Sequence, residues 1–137
     1  MICGSIGYGG FSYIRHLYSF LRSKGFDVLD HVMHREMNYS AIKDFRRRKK
    51  LSSKIVQHDL DYIRQVDVLV VIAKKPSYGT GIEVFIAKKY GKKIILLAKD
   101  PIPTPWLVNF SDYIVTTQER LVSLLHALEK IDGPKAK

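Results

Sequence analysis

A single cysteine, Cys3, stands in a chain of 137 residues, which excludes an internal disulfide framework and a zinc site built on several thiolates. Long apolar runs are missing too. No stretch approaches the ~18 residues that a membrane helix needs, and the start has no basic segment leading into a hydrophobic one. The chain therefore reads as soluble and cytoplasmic, with no membrane partner. Acidic residues are scarce: 13 Asp and Glu face 23 Lys and Arg, a formal charge of +10. That excess calls for an anionic partner, which could be nucleic acid, an acidic membrane face or a small phosphate ester. Seven of the basic residues (Lys43, Arg46, Arg47, Arg48, Lys49, Lys50 and Lys54) fall in one short segment with a single acid, Asp44, so this segment holds +6 of the total. Phe45 and Leu51 make a poor apolar face for a membrane surface, and a solvated helix face is the plain reading of the run.

At roughly 100–200 residues per domain, the length supports one domain, expected over 1–131 with a flexible tail over 132–137. A chain of this size buries roughly two-thirds of its unfolded surface, enough for a core without disulfide or metal. Met1-Ile2-Cys3 reads as a short strand opening onto a glycine-rich turn, Gly4 to Gly10. A helix follows from about Phe11, with Ile14, Leu17, Tyr18 and Leu21 on one face and Gly25 just past its end. Phe26 to Leu29 reads as a second strand, and a long helical stretch is expected from about Tyr39 to Arg64. Val68 to Ala73 is an unbroken apolar run of the kind found in a central strand buried on both faces. A second turn-rich segment, Pro76 to Gly81, leads into a helix to about Tyr90. Ile94 to Ala98 and Tyr113 to Val115 complete the strands, and a last helix spans about Gln118 to Lys130.

Alternating strands and helices imply a parallel sheet covered on both faces, because each parallel crossover needs a connection of helix length. The expected fold is therefore α/β, a Rossmann-like, flavodoxin-like five-stranded sheet of order 2-1-3-4-5. In that order the first and third strands are neighbours at the switch point where ligands bind. Both glycine-rich loops leave those two strands and meet at one crevice.

The first loop suits an anion, since glycines let backbone amides approach a ligand and the following helix offers its positive end. It lacks the Lys-Ser/Thr ending of a nucleotide-triphosphate loop and the spacing of a dinucleotide fingerprint, and a tight strand-to-helix turn is the plain alternative. Glu83 lies at the start of a helix directed at the crevice, but Thr80-Gly81-Ile82-Glu83 also fits a capping box, in which the glutamate would bond back to the Thr80 amide. Asp59 falls in the apolar stripe made by Ile55, Val56, Leu60 and Ile63, where an unpaired carboxylate costs several kcal/mol and so needs a partner or a function. It precedes Asp67 by only eight positions, which places it below the strand tips unless the helix crosses steeply or the strand is short. Asp61 points the other way and reads as solvated. His31 and His34 have a spacing that could suit a metal, yet no third ligand recurs nearby, and hydrogen-bonded or solvated histidines are the simpler reading. Ser77 could donate to a phosphate or sugar hydroxyl, or stabilise its own turn.

Four segments together resemble a known family: Ile2-Cys3-Gly4-Ser5-Ile6, Asp30-His31-Val32, His58-Asp59-Leu60-Asp61-Tyr62-Ile63 and Pro76-Ser77-Tyr78-Gly79-Thr80-Gly81-Ile82-Glu83. They look like the 2'-deoxynucleoside 5'-phosphate N-hydrolases, within the wider nucleoside 2-deoxyribosyltransferase superfamily, over roughly residues 1 to 100. The resemblance implies a retaining attack on the N-glycosidic bond of a nucleoside monophosphate, with Glu83 as nucleophile and Asp59 as the second active-site carboxyl. Substrate contacts are implied at Gly4, Ser5, Ile6, Gly7, Tyr8, Gly9 and Gly10, at His31, and at Ser77 and Gly79. No cofactor or metal is called for, and a homodimer is implied. The chain departs from the family at Ile6-Gly7-Tyr8-Gly9-Gly10, one residue longer than the usual Ile-Arg-Gly-Gly, and at Met1, where a tyrosine is often found. Two alternatives stay beside this expectation: a deoxyribosyltransferase that exchanges bases, and a non-catalytic nucleotide- or RNA-binding module using the basic segment.

Overall fold

The computed structural model describes residues 1–34 and 37–132. Four strands form one parallel sheet in sequence order: β1 (Ile2–Cys3), β2 (Val68–Ile72), β3 (Lys93–Leu97) and β4 (Tyr113–Val115). Ile2 lies opposite Val70, Val70 opposite Ile95, and Ile95 opposite Tyr113. Five helices connect and cover them: α1 (Phe11–Ser23), α2 (Lys49–Gln65), α3 (Tyr78–Lys89), the short α4 (Pro105–Phe110) and α5 (Gln118–Asp132). The tail expected beyond the domain lies, from 133 on, outside the described residues.

Strand alternation sorts the core into two layers. Ile2, Val70, Ile72, Ile95, Leu97 and Val115 face Ile14, Leu17, Tyr18 and Leu21 of α1 and Leu121 and Leu128 of α5. Cys3, Leu69, Val71, Ile94 and Leu96 face Ile63 of α2 and Val84 and Ala87 of α3. The chemistry-bearing residues Asp59 and Glu83 thus come from the helices on the same side as Cys3.

The described strands number four, so the expected five-stranded order is corrected at one edge. Phe26 to Leu29 forms no ladder, although its side chains alternate as a strand's would, with Phe26 and Val28 against one core layer and Leu29 against the other. The reason is that the outer edge of β1 is already satisfied. The Ile2 amide donates to the Tyr18 hydroxyl at 2.8 Å, and the same hydroxyl lies 3.3 Å from the Ile2 carbonyl. A side chain of α1 therefore closes the edge at which the second strand was expected to pair.

The helix expected from about Tyr39 begins only at Lys49. Local side chains capture the intervening backbone: Asn38 Oδ1 accepts from the Ser40 amide and hydroxyl, and Asp44 Oδ1 accepts from the Arg46 amide at 2.9 Å. Such bonds compete with helix formation, which is why Asn, Ser and Asp punctuate this stretch. By contrast α1 ends as its sequence predicts. Gly25 takes φ +89°, its amide bonds to Arg22 O, and the Phe26 amide bonds to Leu21 O, closing the helix in a Schellman motif that glycine enters without strain.

Candidate active site

β1 and β2 are adjacent, so the turn after β1 and the loop after β2 open side by side at the carboxyl ends of the strands. After β1 the chain makes one wide turn, Ile6–Gly10, closed by the Gly10 amide on Ser5 O at 3.0 Å. Gly10 is required there: a Cβ at this position would overlap that carbonyl oxygen. Ser5 and Ile6 are buried and Gly7 is exposed, while the Tyr8 side chain lies outside the described residues. Gly4 packs against Ile72 and Ile14, fixing the turn to the end of β2.

After β2, α3 starts at Tyr78 and is capped by Ser77, whose Oγ accepts from the Thr80 amide at 3.5 Å. This corrects the capping box considered for Thr80 and Glu83. Ser77 is the cap, Glu83 lies in the second turn, and its carboxyl is left for other work. A Cβ on Gly79 would lie 3.9 Å from both Glu83 Oε1 and Ser77 Oγ, so the bare Gly79 backbone separates these two oxygens.

Asp59 is buried on α2 between Ile55 and Ile63. Its charge acts on Cys3, the last residue of β1, and on Glu83 of α3, so it lies beside the carboxyl end of β1 although only eight positions separate it from Asp67. Asp61 faces solvent and pairs with Arg64 at 2.9 Å, as expected. Burial raises the proton affinity of Asp59; burial and then the charge of Asp59 raise that of Glu83, while the Cys3 thiol acts on Glu83 as a hydrogen-bond donor in the opposite direction. Burial pushes the Cys3 thiol itself well up, with the Glu83 charge adding to the effect, so it stays protonated and able to donate.

The orphaned polar atoms converge on this place. Among the described residues, the buried side-chain N and O atoms without a hydrogen-bond partner belong to Ser5, His58, Asp59, Thr80 and Glu83. Ser5 comes from the chain just after β1, His58 and Asp59 from α2, and Thr80 and Glu83 from α3. Native interiors leave few such groups, so their concentration marks atoms available to a ligand.

His58, next to Asp59, stacks on Tyr62 at 4.6 Å and meets His34 edge-on at 5.4 Å. Its Nδ1 lies 3.8 Å from Asp59 Oδ1, and burial with the nearby His34 lowers its proton affinity. His34 in turn lines a cleft of about 390 Å³ with Phe11, Arg15, Val32, Met33 and Asn38. His31, an expected substrate contact, is buried, with Nδ1 2.9 Å from the Tyr18 hydroxyl and its pKa lowered to about 3 by burial. Among the described residues no group of three His, Cys, Asp or Glu could hold a metal ion, and His31 and His34 do not form one.

Three neighbours of the carboxyl pair were not singled out from the sequence. Cys3 was legible in principle, because alternation along β1 turns it toward α2 and α3. His58 adjoins Asp59 but carries no motif of its own. Tyr39, whose proton affinity is raised by burial and then by the charges of Glu83 and Asp59, is brought in by an irregular loop and had no signal. Among the described residues no helix is long and apolar enough to cross a membrane. Comparison with family models, with curated proteins and with solved structures finds no match to this chain.

Proposed function

We propose that the protein hydrolyses the N-glycosidic bond of nucleoside or deoxynucleoside 5'-monophosphates, releasing free base and the sugar 5-phosphate. The observation that carries this reading is the buried pair Asp59 and Glu83, held on separate helices at one crevice, each with an unpartnered carboxyl oxygen. Two carboxyls flanking a glycosidic bond are the minimal apparatus for retaining hydrolysis through an oxocarbenium-like transition state.

Glu83, ionised, attacks the anomeric carbon; the bond to the base breaks and a glycosyl ester forms. Asp59, protonated, gives its proton to the departing base. The Asp59 carboxylate then takes a proton from water, whose oxygen attacks the same carbon and releases Glu83. This cycle needs one proton shared by two carboxyls; burial raises both groups from their ordinary values and the Asp59 charge raises Glu83 further, so the pair retains a proton that departure of the base requires on Asp59. The Cys3 thiol favours the ionised form of Glu83, the form that attacks.

The 5'-phosphate is assigned to the Gly4–Gly10 turn and the start of α3, where Ser77 keeps its hydroxyl proton free to donate and helix amides favour negative charge. The outer faces of α3 and α4 expose Ile82, Phe85 and Trp106, and on this surface we place the contact of a homodimer.

The test is incubation of the purified protein with a panel of ribo- and deoxyribonucleoside monophosphates, with free base measured. Release by the wild type and loss of release in Glu83→Ala support the reading. No release, or equal release by the variant, overturns it. Exchange with an added second base would move the activity to a transferase.

A further inference from the structure

Further aromatic and cationic side chains lie around the carboxyl pair. His34 meets His58 edge-on and lines the 390 Å³ cleft with Phe11, Arg15 and Asn38. Within that cleft the Arg15 guanidinium lies 5.8 Å from the centre of the Phe11 ring. Asn38 leads into Tyr39, whose ring meets Phe45 at 5.7 Å, and Phe45 is followed at once by Arg46-Arg47-Arg48, which lead directly into α2 at Lys49. Because α2 runs back along the sheet before the parallel strand β2, its first turn lies at the strands' carboxyl ends, on the side where the crevice opens.

Arg46 is paired with Asp44 at 2.7 Å. Arg47, Arg48, Lys49 and Lys50 are exposed, have no acidic partner among the described residues, and face no acid in the first turn of α2. Cations gathered at the positive end of a helix destabilise it, so folding does not account for the arrangement.

The distance along α2 decides what anion the run can hold. Lys49 and Asp59 are separated by ten residues, about 15 Å of helix rise, whereas charges in 0.1 M salt are screened beyond about 10 Å. A lone phosphate beside the carboxyls is therefore largely screened from the run. A ligand with further phosphates that reach the first turn of α2 is not. Rings interleaved with cations are the arrangement that holds a single strand, by stacking its bases and tracking its backbone.

We infer that the surface comprising the cleft at Phe11, Arg15 and His34 and the exposed run Arg47, Arg48, Lys49 and Lys50 binds single-stranded nucleic acid. Its bases stack on Phe11 and His34, and its phosphates lie on the cations. This goes beyond hydrolysis of a mononucleotide, and its readout is binding, so failure of either reading leaves the other standing.

The test is fluorescence anisotropy of a labelled short single-stranded oligonucleotide across a salt series. Affinity should fall with salt at a slope of about −0.7 per phosphate contact. The exposed-site variant Arg47→Gln/Arg48→Gln/Lys49→Gln/Lys50→Gln should flatten that slope by about 3, and Arg15→Gln by less than 1. Phe11→Ala should weaken binding with the slope unchanged. An unaltered slope in the quadruple variant overturns the inference. So does competition by linear polyphosphate as effective as that by unlabelled oligonucleotide, which would leave a surface without any recognition of bases.

Discussion

The charge of Asp59 on α2 raises the proton affinity of Glu83 on α3, although 24 positions separate them in the chain. Each carboxyl is shielded from water and leaves one oxygen without a protein partner. The fold thus tolerates a destabilising pair at one point, and the consequences of that pair can be measured.

The first consequence concerns stability. Asp59 binds its proton more tightly in the folded chain than in the unfolded one, so folding is linked to proton uptake. The stabilisation is fully present below the ordinary carboxyl pKa of about 4 and is lost as pH rises toward the raised value. Asp59→Asn removes the buried charge and should be more stable than wild type by roughly 1–3 kcal/mol at slightly alkaline pH. Urea unfolding at several pH values should show that advantage shrinking toward pH 5. A variant less stable than wild type throughout would contradict this.

The same pair shapes the rate. With one proton required across two interacting carboxyls, kcat/KM should be bell-shaped in pH, its limbs belonging to the pair rather than to either residue. Asp59→Asn should lower kcat by about 10²–10⁴ and remove the alkaline limb, since a neutral amide cannot deprotonate. Glu83→Gln should lower it further. A bell preserved in Asp59→Asn would place the second titrating group elsewhere.

Tyr18 should matter to folding far more than to catalysis. Its hydroxyl accepts the Ile2 amide and contacts Nδ1 of the buried His31. Tyr18→Phe orphans that amide and should cost about 1–3 kcal/mol in chemical denaturation. An effect below about 0.5 kcal/mol would mean that β1 keeps its edge satisfied by other means.

Two glycines of one turn should behave oppositely. Gly10→Ala drives a methyl group into Ser5 O and should destabilise by more than about 2 kcal/mol. At Gly7 nothing lies within 4 Å of an added Cβ and φ is not positive, so Gly7→Ala should be neutral or stabilising by up to about 1 kcal/mol. Thermal melts of the two variants compare them directly, and a Gly7→Ala loss as large as that of Gly10→Ala would show that the turn needs both.

Much of this was legible in local pattern. The apolar runs of β2 and β3 sit where alternation and β-branching put them, α1 ends at Gly25, and the β4 strand and α5 begin near their expected residues. Asp59 announced itself by standing in an apolar stripe. These features depend on periodicity and backbone sterics, which act over a few residues and so are written in the sequence.

Other outcomes depended on groups far apart in the chain. Whether Phe26 to Leu29 joined the sheet turned on the Tyr18 hydroxyl, which had already satisfied the Ile2 backbone. Whether Glu83 capped a helix turned on Ser77 starting α3 earlier than Thr80 would. The sequence alone determined the α/β class, the parallel sheet and the two loops meeting at one crevice, because hydrophobic spacing and crossover geometry leave few alternatives. Only the tertiary structure decided that Asp59, Glu83 and the Cys3 thiol share one desolvated place, since burial and charge coupling exist only once β1, α2 and α3 have packed together.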